Sequence, residues 1–224
     1  MLLAEKILAF LSHLQLTTAL PDGVEALNPY RDRTTWHLCE QFYRKYYSDR
    51  RVRTIILGIN PGRFGGGLTG IPFTDPVKLE TECGIPNTLK RKAELSADFI
   101  YQMIGAYGGV EKFYQHFYIG SISPLGFTKD GKNLNYYDIR ELEKSITPFI
   151  VDSLTSELSF VRREVCFCLG EGKNFKFLSE LNAKHHFFKK IVPLSHPRFI
   201  MQYRRKQINT FIDDYLSKLN SGLT

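Results

Sequence analysis

The chain has 224 residues, of which 43% are hydrophobic and 24% charged, and its formal net charge at pH 7 is +7. This size and composition are typical of one soluble globular domain, so we predict a single domain over residues 1–224. No apolar run approaches the roughly 20 residues of a membrane-spanning helix, which excludes a membrane protein. The positive charge favours an anionic partner, of which nucleic acid is the commonest.

The N-terminal half of the chain alternates between helical and strand patterns. Apolar residues of the first segment recur at helical spacing and charged residues interrupt them, which indicates an amphipathic helix rather than a signal peptide. In chain order, the patterns predict a helix over Leu2–Leu14, a helix from about Trp36 to Tyr47 with Thr34 or Thr35 as N-cap, a strand over Thr54–Leu57, and a helix over 87–109.

The C-terminal half continues the same alternation. It predicts a strand over 117–127 that breaks at Pro124, a helix from about Asp138 that Pro148 kinks or divides, a strand over 163–170, a helix over Lys173–Leu181, a strand over 189–197, and a helix over Arg204–Leu219. Short apolar strands that alternate with helices predict an α/β fold, with three α/β/α layers around a central, mainly parallel four-stranded sheet. In such folds ligands bind outside the carboxyl ends of the strands.

The four cysteines do not have the spacing of a secreted disulfide framework. Cys39 and Cys83 are isolated, and Cys166 and Cys168 lie two positions apart in a strand-like run, so both point to one face. Because this spacing matches no cluster-binding motif, we interpret all four as buried, reduced thiols. We therefore expect an intracellular location: cytoplasmic and associated with the nucleoid, or nuclear in a eukaryote.

Two loops that follow predicted strands contain the residues best suited to chemistry. Asn60 follows the first strand, and His196 follows the last one. Asn-Pro-Gly alone is also an ordinary turn, and a lone histidine is more often a satisfied surface or core residue. Both loops lie at the same edge of the predicted sheet, however, and this convergence favours a shared site for Asn60 and His196.

Motifs for nucleotides and metals are absent from the sequence. The loop "GRFGGG", residues 62–67, is not the G-x-G-x-x-G dinucleotide fingerprint, and "GEGKN", residues 170–174, lacks the spacing of a phosphate-binding loop. No H-E-x-x-H or C-x-x-C pattern suggests a metal site. We predict that the protein uses no metal and no cofactor.

The segment "GINPGRFGGGLTGIPF", residues 58–73, resembles the first motif of a known family. It fits, without a gap, the form G-M-N-P-G-P-F-G-M-x-x-T-G-V-P-F of the single-strand-selective monofunctional branch of the uracil-DNA glycosylase superfamily. The family's second motif, H-P-S-P-R, is shortened to "HPR" at 196–198. The similarity extends from Leu27 to Arg198, and it implies a uracil-DNA glycosylase-like fold and activity.

The resemblance assigns roles to individual residues. It implies that Asn60 positions the attacking water, that His196 donates a hydrogen bond to uracil O2, and that the flipped base stacks on Phe73. Gly62 stands where the classical uracil enzymes have a tyrosine that excludes thymine, so it is expected to leave room at C5 of the base. Asp75, just after Phe73, could lend a carboxylate near the site.

The base-reading residue departs from the family pattern. Ser121 stands where the family has an asparagine, and a hydroxyl both donates and accepts, so it selects uracil less strictly. Asn133 or Asn135 could supply the missing amide to the base. For both residues, a structural role in a turn or helix cap with Asp138 is an equal alternative. We also assign Phe64 to base binding.

We assign DNA binding to a set of basic and aromatic residues near the two motifs: Arg63, Arg198, Phe199, Arg204 and Arg205. The family inserts its second-motif loop into the duplex, so Arg198, Phe199 and Met201 are candidates for a wedge. Basic residues after it are candidates for phosphate contacts. For any single one of them, an ordinary solvated helix start is the alternative interpretation.

These expectations combine into a monofunctional DNA glycosylase that hydrolyses the N-glycosidic bond of uracil, and of 5-substituted uracil or other deaminated bases, in base excision repair. Its partner is DNA, single-stranded or damaged duplex, and we expect a monomer. No lysine in the motifs is placed as a Schiff-base nucleophile, so strand cleavage is not expected.

Three alternatives stay open at this point. A glycosylase of the same fold that is specific for deaminated purines or mismatched thymine is compatible with Gly62 and Ser121. A non-catalytic lesion-binding protein is disfavoured by Asn60 and His196. A protein that binds small nucleobases is disfavoured by the basic residues from Arg198 onward.

Overall fold

The computed structural model of the protein describes residues 1–223. The helices are α1 (Leu3–Ser12), α2 (Arg33–Tyr46), α3 (Gly66–Thr69), α4 (Pro76–Thr81), α5 (Leu95–Tyr107), α6 (Val110–His116), α7 (Arg140–Glu157), α8 (Lys173–His185), α9 (Pro197–Tyr203) and α10 (Ile208–Ser221). The strands are β1 (Val24–Leu27), β2 (Arg53–Gly58), β3 (Phe117–Ser121), β4 (Gly126–Lys129), β5 (Lys132–Leu134), β6 (Val161–Leu169) and β7 (Lys190–Leu194). Short 3₁₀ helices cover Pro29–Arg31 and Arg205–Gln207.

The central sheet has four parallel strands in the order β3-β2-β6-β7. This confirms the predicted fold class, an α/β fold with a four-stranded parallel sheet between helices. All six residues of β2 are buried, as expected of a strand covered on both faces. Gly58 at the end of β2 pairs with Ser121 at the end of β3, and Leu169 of β6 pairs with Leu194 of β7. The loops that follow these four strands therefore lie at one edge of the sheet.

A second sheet, which the sequence analysis missed, lies beside this edge. Its three antiparallel strands have the order β1-β4-β5. Asp130 and Gly131 join β4 to β5, and both have positive φ, 50° and 67°, as a two-residue hairpin turn requires. The predicted strand over 117–127 is thus wrong in its second half, because the chain leaves the central sheet after Ser121 and joins the small sheet at Gly126.

Four features of the predicted helices differ from the structure. Helix α5 begins at Leu95 rather than at residue 87, because Glu94 N–H binds the Asp75 carboxylate and Asn87 Nδ2 binds the Pro76 carbonyl. Pro148 lies inside α7 without dividing it. The predicted last helix, Arg204–Leu219, is a 3₁₀ turn over Arg205–Gln207 followed by α10, and α9 before it was not predicted. The N-cap of α2 is Asp32, whose Oδ1 accepts from Thr35 N–H at 2.8 Å, rather than Thr34 or Thr35.

The cysteines are free and buried, which confirms their interpretation as reduced thiols: Cys39, Cys83, Cys166 and Cys168.

Within residues 1–223, no three histidine, cysteine or acidic side chains are grouped so that they could hold a metal ion. In the same part of the chain, no helix has the length and apolar character needed to cross a membrane. The single-domain organisation stays a prediction.

Candidate active site at the carboxyl edge of the central sheet

A cavity of about 130 Å³ lies at the carboxyl ends of β2, β3 and β7. The predicted residues that line it are Asn60, Gly62, Phe73, Ser121, Asn133, His196 and Arg198. These residues come from four separate segments, and parallel strands bring three of those segments to one edge. The structure therefore brings together the two residues that the sequence analysis ranked first, Asn60 and His196.

The Asn60 carboxamide is held in one orientation by backbone groups. Its Nδ2 donates to the carbonyls of Leu134, at 3.1 Å, and Pro61, at 3.3 Å, and its Oδ1 accepts from Tyr136 N–H at 3.0 Å. Because carbonyls only accept and N–H groups only donate, these partners decide which end of the amide is oxygen. A carbonyl oxygen has two lone pairs, so Oδ1 keeps one for another donor, such as a water molecule in the cavity.

His196 is the N-cap of α9, and its Nδ1 accepts from Arg198 N–H at 3.2 Å. Since Nδ1 offers a lone pair there, the proton of the neutral ring lies on Nε2. Burial, with a smaller contribution from the Arg198 charge, lowers the pKa of His196 to about 4. The site therefore contains a neutral histidine whose Nε2–H can donate one hydrogen bond.

Phe73 presents an aromatic ring beside His196, with ring centroids 6.2 Å apart. Its backbone has φ 55°, a left-handed conformation that is strained for a bulky residue and is often found at functional sites. The ring packs on Gly58, where a Cβ would lie only 2.7 Å from Phe73 Cε2. The glycine at the end of β2 thus fixes an aromatic face in the cavity, which suits a planar ligand.

The space next to Gly62 is not empty. A Cβ at Gly62 would lie 3.3 Å from Asn133 Nδ2 and 3.9 Å from Glu94 Oε1. Asn133 is held in turn by Arg63, whose backbone N–H donates to Asn133 Oδ1 at 3.1 Å. The space beside Gly62 is therefore bordered by an amide donor and a carboxylate, and the room at C5 of a base stays a prediction.

The two other candidate base-reading residues differ in how they are held. Ser121 is buried at the end of β3, and its hydroxyl makes no hydrogen bond with another residue in the described part of the chain. Asn135 also lines the cavity, but its Nδ2 donates to Asp138 Oδ1 at 3.4 Å and its N–H donates to Asp138 Oδ2 at 2.8 Å. The turn interpretation therefore holds for Asn135, whereas Ser121 keeps its hydroxyl for a ligand.

The acidic residue at the cavity is Glu94 and not Asp75. Asp75 is fully buried and binds two backbone groups, Lys78 N–H and Glu94 N–H, each at 2.8 Å. It thus joins the starts of α4 and α5 and does not line the cavity. Burial, followed by the Asp75 charge, raises the pKa of Glu94, while Arg198 and Lys92 oppose that shift.

A wider groove of about 670 Å³ continues from the cavity. It shares His196 and Arg198 with the cavity, and Phe199, Tyr203 and the start of α8 form its outer part. Phe199 and Tyr203 are exposed, at 43% and 62%, with ring centroids 5.7 Å apart. Arg198 and Phe199, both exposed, line this groove.

The structure does not bring four other predicted residues to the cavity. The Phe64 ring lies beside it, covered by Lys92 Nζ at 3.4 Å and by the Arg63 guanidinium at 4.4 Å. Arg204 and Arg205 are exposed after α9, with the Arg204 guanidinium 5.6 Å from the Phe199 ring. The base-binding role of Phe64 and the DNA contacts of these arginines stay predictions.

Sequence reasoning missed Glu94 and the residues that hold Asn60. The sequence analysis predicted Glu94 to lie inside a helix and gave no reason to place its carboxylate near the site. Leu134 and Tyr136 contact Asn60 across 74 and 76 positions, a separation that no local pattern reports. The available signal was Asp130-Gly131, a typical hairpin turn pair, which predicts a return of the chain just before Leu134.

Comparisons with known proteins agree with this geometry. The model of the uracil DNA glycosylase superfamily matches residues 44–220. A search of curated proteins found no match. Among solved structures, SMUG2 of Pedobacter heparinus is 49% identical, with a TM-score of 0.96 over 99% of this chain and 98% of that one. The chain therefore belongs to the uracil DNA glycosylase superfamily, and it is a DNA glycosylase.

Proposed function

We propose that this DNA glycosylase releases uracil from DNA by direct attack of water at the sugar carbon and leaves an abasic site, with Asn60 and His196 as its catalytic residues. One observation supports this assignment above the others. Asn60 and His196 line the same cavity, and each is fixed by backbone groups that leave one lone pair on Asn60 Oδ1 and one proton on His196 Nε2 unused.

Each unused atom matches one need of the reaction. When the glycosidic bond breaks, the base leaves with the electron pair, and the Nε2–H of His196 stabilises the negative charge on uracil O2. Asn60 Oδ1 accepts a hydrogen bond from water and directs its oxygen at the sugar carbon. An amide is no base, so the water proton goes to solvent as the new C–O bond forms. Positioning and electrostatics thus supply the rate enhancement.

The base must leave the helical stack to reach this cavity. Extrusion costs a few kcal/mol, and it costs least for a mismatched or single-stranded base. Stacking on Phe73 offsets part of that cost. Arg198 and Phe199 are exposed and line the groove. In this proposal Phe199 fills the place of the extruded base, and Arg198 contacts a backbone phosphate. We therefore expect activity on single strands and on damaged duplexes.

The proposed reaction stops at the abasic site. Cleavage of the strand by a bifunctional enzyme needs an amine that forms a Schiff base with the sugar. Among the described residues that line the cavity, none is a lysine. The enzyme is therefore monofunctional in this proposal. From the sequence we further propose that it acts as a monomer without metal or cofactor. The free, buried cysteines support an intracellular location.

Ser121 favours a second, broader activity. Its hydroxyl is unpaired within the described chain and can either donate or accept. An asparagine in its place would offer a fixed donor and acceptor pair, whereas the hydroxyl can adapt to the edge of a deaminated purine. Hypoxanthine and xanthine are therefore secondary candidate substrates.

A lesion panel tests the proposal. Oligonucleotides that contain uracil, 5-hydroxymethyluracil, hypoxanthine, xanthine or a G·T mismatch are incubated with the protein, single-stranded and in duplex, and then treated with alkali. We expect cutting at uracil that depends on alkali. Cutting without alkali would contradict the monofunctional reaction. Tight binding of the uracil strand without any abasic product would contradict the release of uracil.

A further inference from the structure

Glu94 is the one acidic side chain among the described residues that line the cavity. It occupies the N-cap position of α5, where a polar side chain usually accepts a hydrogen bond from the first turn. Glu94 makes no such bond. Its carboxylate instead lies toward Gly62 and Gly65 of the motif loop. The side chain is thus directed into the site and does not stabilise its own helix.

Two glycines make room for this carboxylate. A Cβ at Gly65 would lie 2.7 Å from Glu94 Cδ, which is an overlap, and a Cβ at Gly62 would lie 3.9 Å from Glu94 Oε1. Neither glycine has positive φ, and that of Gly65 is −103°. A left-handed backbone therefore does not account for the glycines, and a side chain at Gly65 would have to displace the Glu94 carboxylate.

The backbone of Glu94 is anchored, but its carboxylate is not. Glu94 N–H donates to the fully buried Asp75 at 2.8 Å. No residue within 1–223 donates a hydrogen bond to either carboxylate oxygen of Glu94. Burial and the Asp75 charge raise the pKa of Glu94, and the Arg198 and Lys92 charges oppose that shift and favour the ionised form. An ionised carboxylate is an acceptor only, so the cavity holds an unused acceptor beside Gly62.

We propose that Glu94 determines specificity, because it favours bases with an O–H or N–H donor on the edge that faces Gly62 and disfavours bases with a negative charge there. This rests on the proposed function and on the expectation from the family resemblance that C5 of the flipped base faces Gly62. A 5-hydroxymethyl group can donate to the carboxylate, whereas a 5-carboxyl group meets like charge. Unsubstituted uracil has no group at C5 that reaches the Glu94 carboxylate, so water binds the carboxylate instead.

The test compares kcat/KM for three bases in the same oligonucleotide: uracil, 5-hydroxymethyluracil and 5-carboxyuracil, at pH 8. For Glu94→Gln we expect the ratio of 5-carboxyuracil to uracil to rise about tenfold or more, because a like-charge contact is removed. For Glu94→Ala we expect the ratio of 5-hydroxymethyluracil to uracil to fall about tenfold, because a hydrogen bond to a charged acceptor is lost. A gain on one substrate cannot result from misfolding.

Asp98→Asn is the matched control. It removes one negative charge from the same helix, at a residue that pairs with Lys78 and does not line the cavity, and it should leave both ratios at the wild-type values. A uniform change by Glu94→Gln on all three bases would mean that Glu94 acts on DNA binding or on the reaction itself, which overturns the specificity role. Unchanged ratios in an enzyme that excises uracil overturn that role alone. A wild-type protein that excises no uracil overturns the proposed function and this role together.

Discussion

Tyr136 donates its backbone N–H to Asn60 Oδ1 at 3.0 Å, and its own hydroxyl donates to Asn174 Oδ1 at 2.9 Å. Asn174 in turn donates to the Leu169 carbonyl at the end of β6. The orientation of the Asn60 amide therefore depends on a buried chain of hydrogen bonds that reaches the central sheet.

Tyr136→Phe should break this series of hydrogen bonds at Asn174. The change leaves the buried Asn174 Oδ1 without its donor, so we expect the free energy of unfolding to fall by about 1–3 kcal/mol. The segment that holds Asn60 is then less well fixed, so kcat should fall several-fold while KM changes less. Chemical denaturation measures the first effect, and steady-state excision kinetics measure the second. Tyr137→Phe, which removes a neighbouring hydroxyl without a hydrogen bond in the described chain, is the control. Equal stability of both variants would contradict the role of Tyr136.

The pH profile of excision should report a neutral His196. Because burial lowers its pKa to about 4, the ring stays neutral at every pH well above that value. We expect the single-turnover rate to be constant between pH 6 and pH 8 and to decline as the pH falls toward 4, where protonation ends the bond from Arg198 N–H to Nδ1. An inflection near 6.5, the value of an exposed histidine, would argue against this environment.

Gly62→Tyr should narrow the range of bases. The new ring would meet Asn133 and Glu94, both within 4 Å of a Cβ at this position. We expect excision of 5-hydroxymethyluracil to fall at least about tenfold more than excision of uracil, which needs no space beyond C5. Gly105→Tyr on the open surface of α5, where a Cβ meets nothing within 4 Å, controls for an added aromatic residue. An equal loss on both substrates in Gly62→Tyr would contradict the C5 pocket.

Glu157 should make stability fall as the pH rises. It is 2% exposed, its Oε1 accepts from the Tyr118 hydroxyl at 3.1 Å, and its Oε2 has no hydrogen-bond partner within residues 1–223. Burial raises its pKa to about 8. Between pH 4.5 and 8 the unfolded chain ionises this group while the folded chain keeps it protonated, so the folded state binds more protons and loses stability with rising pH.

The corresponding measurement is the unfolding free energy of Glu157→Gln from pH 5 to pH 9. The amide has no proton to lose, so the free energy of unfolding of this variant does not fall with pH through this group. Relative to the wild type it should rise by an amount on the order of a few kcal/mol near pH 8. Glu141→Gln, at an exposed position of the same helix, should follow the wild type. A constant difference between Glu157→Gln and the wild type at all pH values would exclude the linkage.

The sequence allowed the central sheet to be predicted because its strands are short apolar runs between helical patterns. The same pattern brought Asn60, Ser121 and His196 to one edge, since parallel strands end together. The small sheet was missed because β5 has only three residues, Lys132–Leu134, and two of them are exposed. Such a strand has no hydrophobic alternation to detect.

The misplaced start of α5 shows why part of the site could not be predicted. Residues 87–94 include several good helix formers, and local propensity favours a helix there. In the structure a long-range bond from Glu94 N–H to Asp75 ends the irregular segment just before α5, and the Glu94 carboxylate lies beside Gly65. Tertiary contacts of this kind override propensity, and they also create the cavity wall that the sequence analysis did not anticipate.

The most direct test of the central claim is the single-turnover rate of uracil release from a single-stranded oligonucleotide by the wild type, Asn60→Ala and His196→Ala. Loss of one positioned group that acts on the transition state typically costs about 10²-fold or more. We predict a decrease of at least this size in each variant, with DNA binding retained. Uracil release at the wild-type rate in both variants would show that the catalytic groups lie elsewhere.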